Sequence, residues 1–442
     1  MMAIDYFQGD GQNLWNRAKE VIPGGNMLLS KRSEMFLPKF WPSYFSKAKG
    51  CNVWDLNDRK LIDLSIMGIG TNILGYGNEE VDESVRKVIS LGNLSTLNCP
   101  EEVFLAEKLI DIHKWADKVR FARAGGEANS IAIRIARAAT GKEKIAICGY
   151  HGWHDWYLST NLRDNSQLEE HLLPGLEPNG VPKGLTGTVI PFTFNNLDQI
   201  RRIIDNEDLA AIKMEVQRNE PPNIEFLKTI RSLCDKKNIV LIFDECTSGF
   251  RETFGGIHKK FGINPDMAMF GKALGNGYAI TAVIGKGNIM DATQKTFISS
   301  TFWTERIGPS AALKTLEVME KTKSWEIITK TGLEIKQKWD QIASANNLEI
   351  KHKGIPALAG FDFKSASNLK YKTFISQEML KKGILAANSI YVCLKHNEEV
   401  LNIYFNEIEK IFRMISLCEQ GRLNINDLII GEVCHADFKR LN

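Results

Sequence analysis

Ile239-Val-Leu-Ile-Phe-Asp244-Glu-Cys-Thr-Ser-Gly-Phe-Arg251 and, a little further on, Met267-Ala-Met-Phe-Gly-Lys272-Ala-Leu-Gly-Asn-Gly277 decide the reading of this chain. Each begins as a short apolar run of the kind that forms a strand buried on both faces. The first run ends on Asp244 and the second on Gly271-Lys272. In open α/β sheets, ligands bind in the crevice at strand ends. A buried Asp and a Lys set there suit pyridoxal 5'-phosphate. The Lys can form a Schiff base with the cofactor aldehyde, and the Asp can hold the pyridinium proton.

Around this stretch, strands alternate with helices. Strands are expected at 118–121, 144–148, 188–191, 210–216, 239–243, 267–270 and 278–285. Helices are expected at 129–140, 197–204 and 224–236. The rhythm predicts an α/β fold, a mostly parallel sheet with helices on both faces. A helical pattern from 310 to 346 follows, starting after Pro309, with a domain boundary inside it near 325. Beyond it, strands at 359–363 and 390–394 and helices at 374–381 and 398–417 suggest an α+β subdomain. The first residues contribute a helix at 14–21 and a hairpin from Val53 to Leu64. We therefore expect three parts: 1–65 joining the small domain, a large domain at 66–325, and a C-terminal small domain at 326–442.

The bulk numbers exclude several classes. The chain has 442 residues, 43% hydrophobic and 25% charged, with a formal net charge of +3. That charge is too small to argue for nucleic acid or a membrane surface. Eight cysteines form no CxxC pair, so reduced thiols are expected rather than disulfides or a metal site. No apolar run approaches a bilayer span, and Met1 to Trp15 shows no leader pattern. A cytoplasmic location is expected.

Two loops draw attention. Arg123-Ala-Gly125-Gly126-Glu-Ala128 joins a strand to a helix, and backbone N–H groups at a helix start attract phosphate. By itself it reads equally well as an ordinary turn. Tyr150-His151-Gly152-Trp153-His-Asp-Trp156 follows another strand. Such an aromatic loop either stacks on a flat ring or packs as surface.

With these residues in view, the chain resembles the class III aminotransferases of PLP fold type I, and within them the glutamate-1-semialdehyde aminomutase branch. The likeness covers nearly the whole length. It rests on Lys49-Gly50 through Asp55 with Ile62-Asp63, on Gly125-Gly126-Glu127-Ala128, and on Tyr150-His151-Gly152. It also rests on Asp244-Glu245 through Arg251, and on Pro265-Asp266 through Lys272. The resemblance implies Lys272 as the Schiff-base lysine and proton shuttle, and Asp244 as partner of the pyridine nitrogen. It implies Gly125 and Gly126 as the phosphate turn and Tyr150 as the stacking ring, with His151 shaping that loop. Glu215 matches a family glutamate near the site. Thr301, or Ser300 or Thr304 in its place, matches the threonine that a neighbouring subunit offers to the phosphate, which implies a homodimer with shared active sites.

This chain also departs from the family pattern. Ala124 and Gly126 replace the hydroxyl residues of the usual Asn-Ser-Gly-Thr turn. The aminomutases place a carboxylate-binding arginine after their Pro-Gly-Gly segment; here Arg32, Lys31 or neither takes that part. Trp303-Thr304-Glu305-Arg306 replaces a usual run of small residues, and Trp153 and Trp156 add further bulk, either to fit a different substrate or as ordinary packing. The resemblance implies ping-pong amino transfer to an aldehyde or ketone. The rivals are an intramolecular aminomutase giving 5-aminolevulinate, and a catalytically silent binding protein of the same fold.

Overall fold

The expected alternation builds a seven-stranded sheet. The computed structural model describes residues 5–169, 171 and 175–437, and they fall into two compact units: 79–326, and 1–78 with 327–442. In the first unit the strands are β1 (Lys118–Ala122), β2 (Lys144–Cys148), β3 (Val189–Pro191) and β4 (Leu209–Met214). They continue with β5 (Val240–Asp244), β6 (Met267–Phe270) and β7 (Thr281–Gly285). Their order across the sheet is β1-β7-β6-β5-β4-β2-β3. β7 runs antiparallel to both neighbours, and the remaining pairs are parallel. β7 begins three residues later than the apolar pattern suggested. The Gly275–Gly277 turn holds Asn276 in the left-handed region (φ 44°) and binds Tyr278 N to Gly275 O.

The register sets which side chains meet. Asp244 lies opposite Met269 across β5–β6, and Lys213 opposite Ile242 across β4–β5. Register partners share a face, and residues two apart on a strand share it too. Lys213, Ile242, Asp244, Met267 and Met269 therefore point the same way. Helix Gly125–Thr140 covers that face, and its Ile131, Ile135 and Ala136 join Ile242, Met267 and Met269 in one buried cluster. Fully burying an Ile or Met of this kind contributes about 1.5–3 kcal/mol.

The helical pattern expected from 310 to 346 is two helices, Ile307–Thr322 and Ser324–Ala345, parted by Lys323 at φ 48°. The first starts before Pro309 because a proline is tolerated in a first turn, where its missing N–H has no helical partner to lose. Glu305 caps that turn, its carboxylate accepting from the N–H groups of Ile307 and Gly308 at 2.7 and 2.8 Å.

In the other unit, Phe45–Lys49, Asn52–Asp55, Lys60–Leu64 and Ile384–Ala386 make a four-stranded sheet. The hairpin read from Val53 to Leu64 is present, with Trp54 opposite Lys60. Ile350–Lys353, Leu358–Phe363 and Ser389–Tyr391 form a three-stranded sheet, so the strand expected at 390–394 is shorter. The helix expected from 374 begins at Asn368.

Candidate active site

The C-terminal ends of β5 and β6 bring Asp244 and Lys272 to one place. Lys272 opens a short 3-10 turn straight after Gly271 and is held at φ 43°. A long side chain in that region carries strain of order 1–3 kcal/mol. Its Nζ donates to Thr247 Oγ1 at 2.8 Å. Burial, with the nearby Arg218 and Arg251 guanidinium groups, pulls the Lys272 pKa down to about 8. Thr247 sits on the loop after Asp244, which Glu245 fixes from inside. Glu245 Oε1 accepts from the backbone N–H of His258 (3.0 Å) and from its Nδ1 (2.9 Å), and Oε2 accepts from Ser248 Oγ. Arg251 Nε adds a bond to Thr247 O at 2.6 Å.

Asp244 is 3% exposed and carries three donors. Its Oδ2 accepts from His151 Nδ1 at 2.8 Å and lies 3.3 Å from Lys213 Nζ, while Oδ1 accepts from Cys246 N at 3.1 Å. Burial alone pushes a carboxyl pKa up. Here the Lys213 charge and the His151 hydrogen bond outweigh it and hold Asp244 ionised, far below the usual carboxylate range. A carboxylate only accepts, so His151 carries its proton on Nδ1. His151 thus does more than shape its loop: it orients the acid.

Helix Gly125–Thr140 starts beside this pair. Glu127 folds back so that Oε2 accepts from the N–H groups of Arg123 and Ala124, both at 2.9 Å. The N–H groups of Gly125 and Gly126 belong to the first turn, which has no intrahelical acceptor. A Cβ added at Gly125 would meet only Cys246 Sγ, at 3.9 Å. A Cβ at Gly126 would fall 2.6 Å from His154 Cε1. The missing hydroxyl at 126 therefore has a steric cause: the 150–156 loop fills its place. Tyr150 N donates to Glu215 Oε2 at 3.2 Å, and the Tyr150 ring stands edge-on to Tyr157. Glu215 Oε1 accepts from Arg218 Nε at 2.9 Å, and Arg218 Nη2 lies 3.5 Å from Thr247 Oγ1.

Other expected residues stand as follows. Trp153 is exposed and stacks on His154, with centroids 4.4 Å apart. Trp156 is buried and bonds Ser130 Oγ, a packing role. Trp303 packs on the core cluster, and its carbonyl accepts from Arg123 Nη2 at 3.0 Å. Thr301 is exposed at the start of a short 3-10 helix. Lys31 and Arg32 belong to the other unit. There Lys31 is exposed, and the Arg32 guanidinium lies against Gly24. Thr247, Arg218 and Lys213 escaped the sequence reading. The signal for Lys213 was available, a lone charge inside an apolar strand.

This arrangement fits pyridoxal phosphate. It offers a buried amine of lowered pKa, an ionised acid with acceptor capacity left on Oδ1, and an uncrowded helix start at Gly125. Comparison with known proteins agrees. The model of the family "Aminotransferase class-III" matches residues 39–416. The chain is 30% identical over 407 residues to a 3-aminobutyryl-CoA aminotransferase of Cloacimonas acidaminovorans, covering 88% of this chain and 93% of that protein. It is 30% identical over 423 residues to a glutamate-1-semialdehyde 2,1-aminomutase of Sulfurisphaera tokodaii, covering 90% and 99%. Among solved structures, the PLP internal aldimine form of the FumI protein of Sphingopyxis sp. MTA144 superposes with a TM-score of 0.83 at 24% identity, covering 95% of this chain and all of that one. An omega-transaminase from Sphaerobacter thermophilus gives 0.80 at 22%, covering 92% and 97%.

Proposed function

The chain belongs to aminotransferase class III, and from that premise we propose that it moves an amino group from a small-molecule donor to an aldehyde or ketone acceptor, with pyridoxal 5'-phosphate as cofactor. The observation that carries this reading is the buried Lys272 amine, pKa about 8, one strand away from an ionised Asp244. The cofactor, when bound, supplies an aldehyde for amines and a ring that spreads the electron pair released at the substrate carbon. The chain supplies the rest. Lys272 Nζ binds the aldehyde end and takes and returns the proton at the reacting carbon. Asp244 keeps the ring nitrogen protonated, and His151 holds Asp244. The N–H groups of Gly125 and Gly126 receive the phosphate, and Tyr150 covers the ring. Glu215 fixes the Tyr150 backbone and turns Arg218 toward Thr247. Trp153 and Trp303 are the candidates for shaping the substrate side.

A homodimer completes the reading, with Thr301 reaching the partner's phosphate. What supports it is a set of exposed apolar side chains in the first unit: Leu97, Phe104, Phe297 and Phe302. Arg306 ties the 93–104 segment to the Phe302 turn: its guanidinium pairs with Glu101 at 2.9 Å, and its backbone N–H donates to Asn93 O at 2.9 Å. Among the described residues no helix is long and apolar enough to cross a membrane, which supports a cytoplasmic enzyme.

The second reading is the aminomutase, favoured by relatives of that name at similar identity, such as one of Nitrosopumilus maritimus at 32%. One experiment separates the two. Glutamate 1-semialdehyde is supplied to purified protein with no amino donor. Little 5-aminolevulinate, with rapid conversion of a carbonyl acceptor once a donor is added, supports intermolecular transfer. Efficient conversion without a donor overturns it.

A further inference from the structure

Lys213 is a misfit in its strand. β4 is buried along its whole length, and lysine is almost never fully buried unless paired. Lys213 is 0% exposed in the middle of a seven-stranded sheet, where Ile212 and Met214 beside it are ordinary core residues. Among the described residues, its Nζ meets Asp244 Oδ2 at 3.3 Å and Met269 Sδ at 3.4 Å. Thioether sulfur is a weak acceptor, so one carboxylate oxygen answers the whole charge. On stability grounds a buried ion pair of this kind gains little over apolar residues of equal volume. Packing therefore gives no reason for a lysine here, and the group it faces does.

We propose that Lys213 is a positioning residue acting through Asp244: its ammonium pins Oδ2 and offsets the negative charge that Asp244 presents to the ring nitrogen of the cofactor. This rests on the site reading above. Three donors from the chain occupy Asp244: His151 Nδ1 and Lys213 Nζ on Oδ2, and Cys246 N on Oδ1. An ionised carboxylate has about four acceptor positions, so the open one lies on Oδ1. Fixing Oδ2 from two sides aims that position. The added positive charge also makes this Asp a weaker partner for a protonated ring nitrogen than an Asp–His pair alone. The other ionisable groups that interact with the pair or with His151 include Cys246 at the β5 end, Glu215 beyond β4, Tyr150 on the loop after β2, and His171. The one cation among them with a hand in Asp244 is Lys213, and it comes from the sheet rather than from the loops.

The test uses the full chain reconstituted with pyridoxal phosphate, read by absorbance across pH rather than by turnover. Lys213→Met keeps the volume and removes the charge. Lys213→Gln keeps a donor without the charge and covers the case where Met does not fold. A charge within about 4–6 Å shifts a pKa by about 1–3 units, and Lys213 acts on the ring nitrogen through Asp244. The expected result is a cofactor band whose pH midpoint moves up by one unit or more in either variant, with the apo-protein melting at or above the wild-type temperature. A midpoint within a few tenths of wild type overturns the proposal, and so does a folded variant that no longer takes up cofactor, which would make Lys213 a strut. Wild-type protein that stays colourless with pyridoxal phosphate sinks the site reading itself and this inference with it. A coloured wild type with an unmoved variant sinks this inference alone.

Discussion

Lys272 Nζ donates to Thr247 Oγ1 over 2.8 Å, and Thr247 stands three residues beyond Asp244 on the same loop. The amine and the acid are thus held by one short stretch of chain. The same hydroxyl lies 3.5 Å from Arg218 Nη2, so the amine has a guanidinium neighbour as well as burial against it. Replacing Lys272 by Ala removes the proposed covalent anchor. We expect the protein to bind pyridoxal phosphate only reversibly, with borohydride fixing none of it to the chain. Amino transfer should fall by about a hundredfold or more, the worth of a positioned acid–base group. Mass spectrometry after reduction checks the first outcome. Cofactor fixed to the Lys272→Ala chain would show that another lysine does the work.

The pH dependence follows from the sign of the Lys272 shift. Its pKa drops from 10.5 to about 8 in the folded protein. Capture of the cofactor needs the neutral amine, so its rate in apo-protein should rise about tenfold from pH 7 to pH 9 and then level off. Stability carries the same sign. Below pH 8 the folded protein bears the full cost of a buried ammonium. Between about 8 and 10.5 the unfolded chain binds more protons than the native one, so stability gains with pH over that window. Lys272→Met apo-protein should therefore melt above wild type at pH 7, with the gap closing toward pH 10. Equal melting curves at both pH values would contradict the shift.

How much of this was legible beforehand depends on where the determinant lies. Asp244 and Lys272 were readable because each closes an apolar run, and a strand end is visible in one dimension. The parallel sheet was readable for the same reason. Lys213 was legible only as a lone charge in an apolar strand; its meaning lies in the register between β4 and β5, which puts it on the Asp244 face. The break at Lys323 was missed because the apolar spacing runs on through it and no Gly or Pro marks it. The role of His151 needed a partner 93 positions away. The change at Gly126 was seen and its cause was not, since His154 reaches it only through the fold.

His151→Phe tests the acid's support. The substitution keeps a ring of similar size beside Trp156 and Tyr157 and deletes the donor to Asp244 Oδ2. A hydrogen bond to a charged group contributes about 1.5–3 kcal/mol. Cofactor affinity should weaken by roughly 10- to 150-fold on that account, measured by quenching of tryptophan fluorescence in the apo-protein. An unchanged Kd would mean that Lys213 and the Cys246 N–H suffice to hold the carboxylate.

The last prediction concerns the proposed phosphate turn. Gly126→Ser restores a hydroxyl of the sort its relatives carry, and a reader of the sequence alone would expect tighter cofactor binding. The structure argues the reverse. A Cβ at 126 would fall 2.6 and 2.7 Å from His154 Cε1 and Nδ1, and Trp153 Nε1 waits at 3.5 Å. Gly152, at φ 103°, brings its own backbone against Gly126, so the loop has little room to retreat. Overpacking of this kind costs about 1–3 kcal/mol. Gly126→Ser should lower the melting temperature and weaken cofactor binding. Adding His154→Ala should recover most of both losses, because it empties the space the serine needs. A double variant no better than the single one would show that Gly126 is required for its N–H geometry rather than for the room it leaves to the histidine.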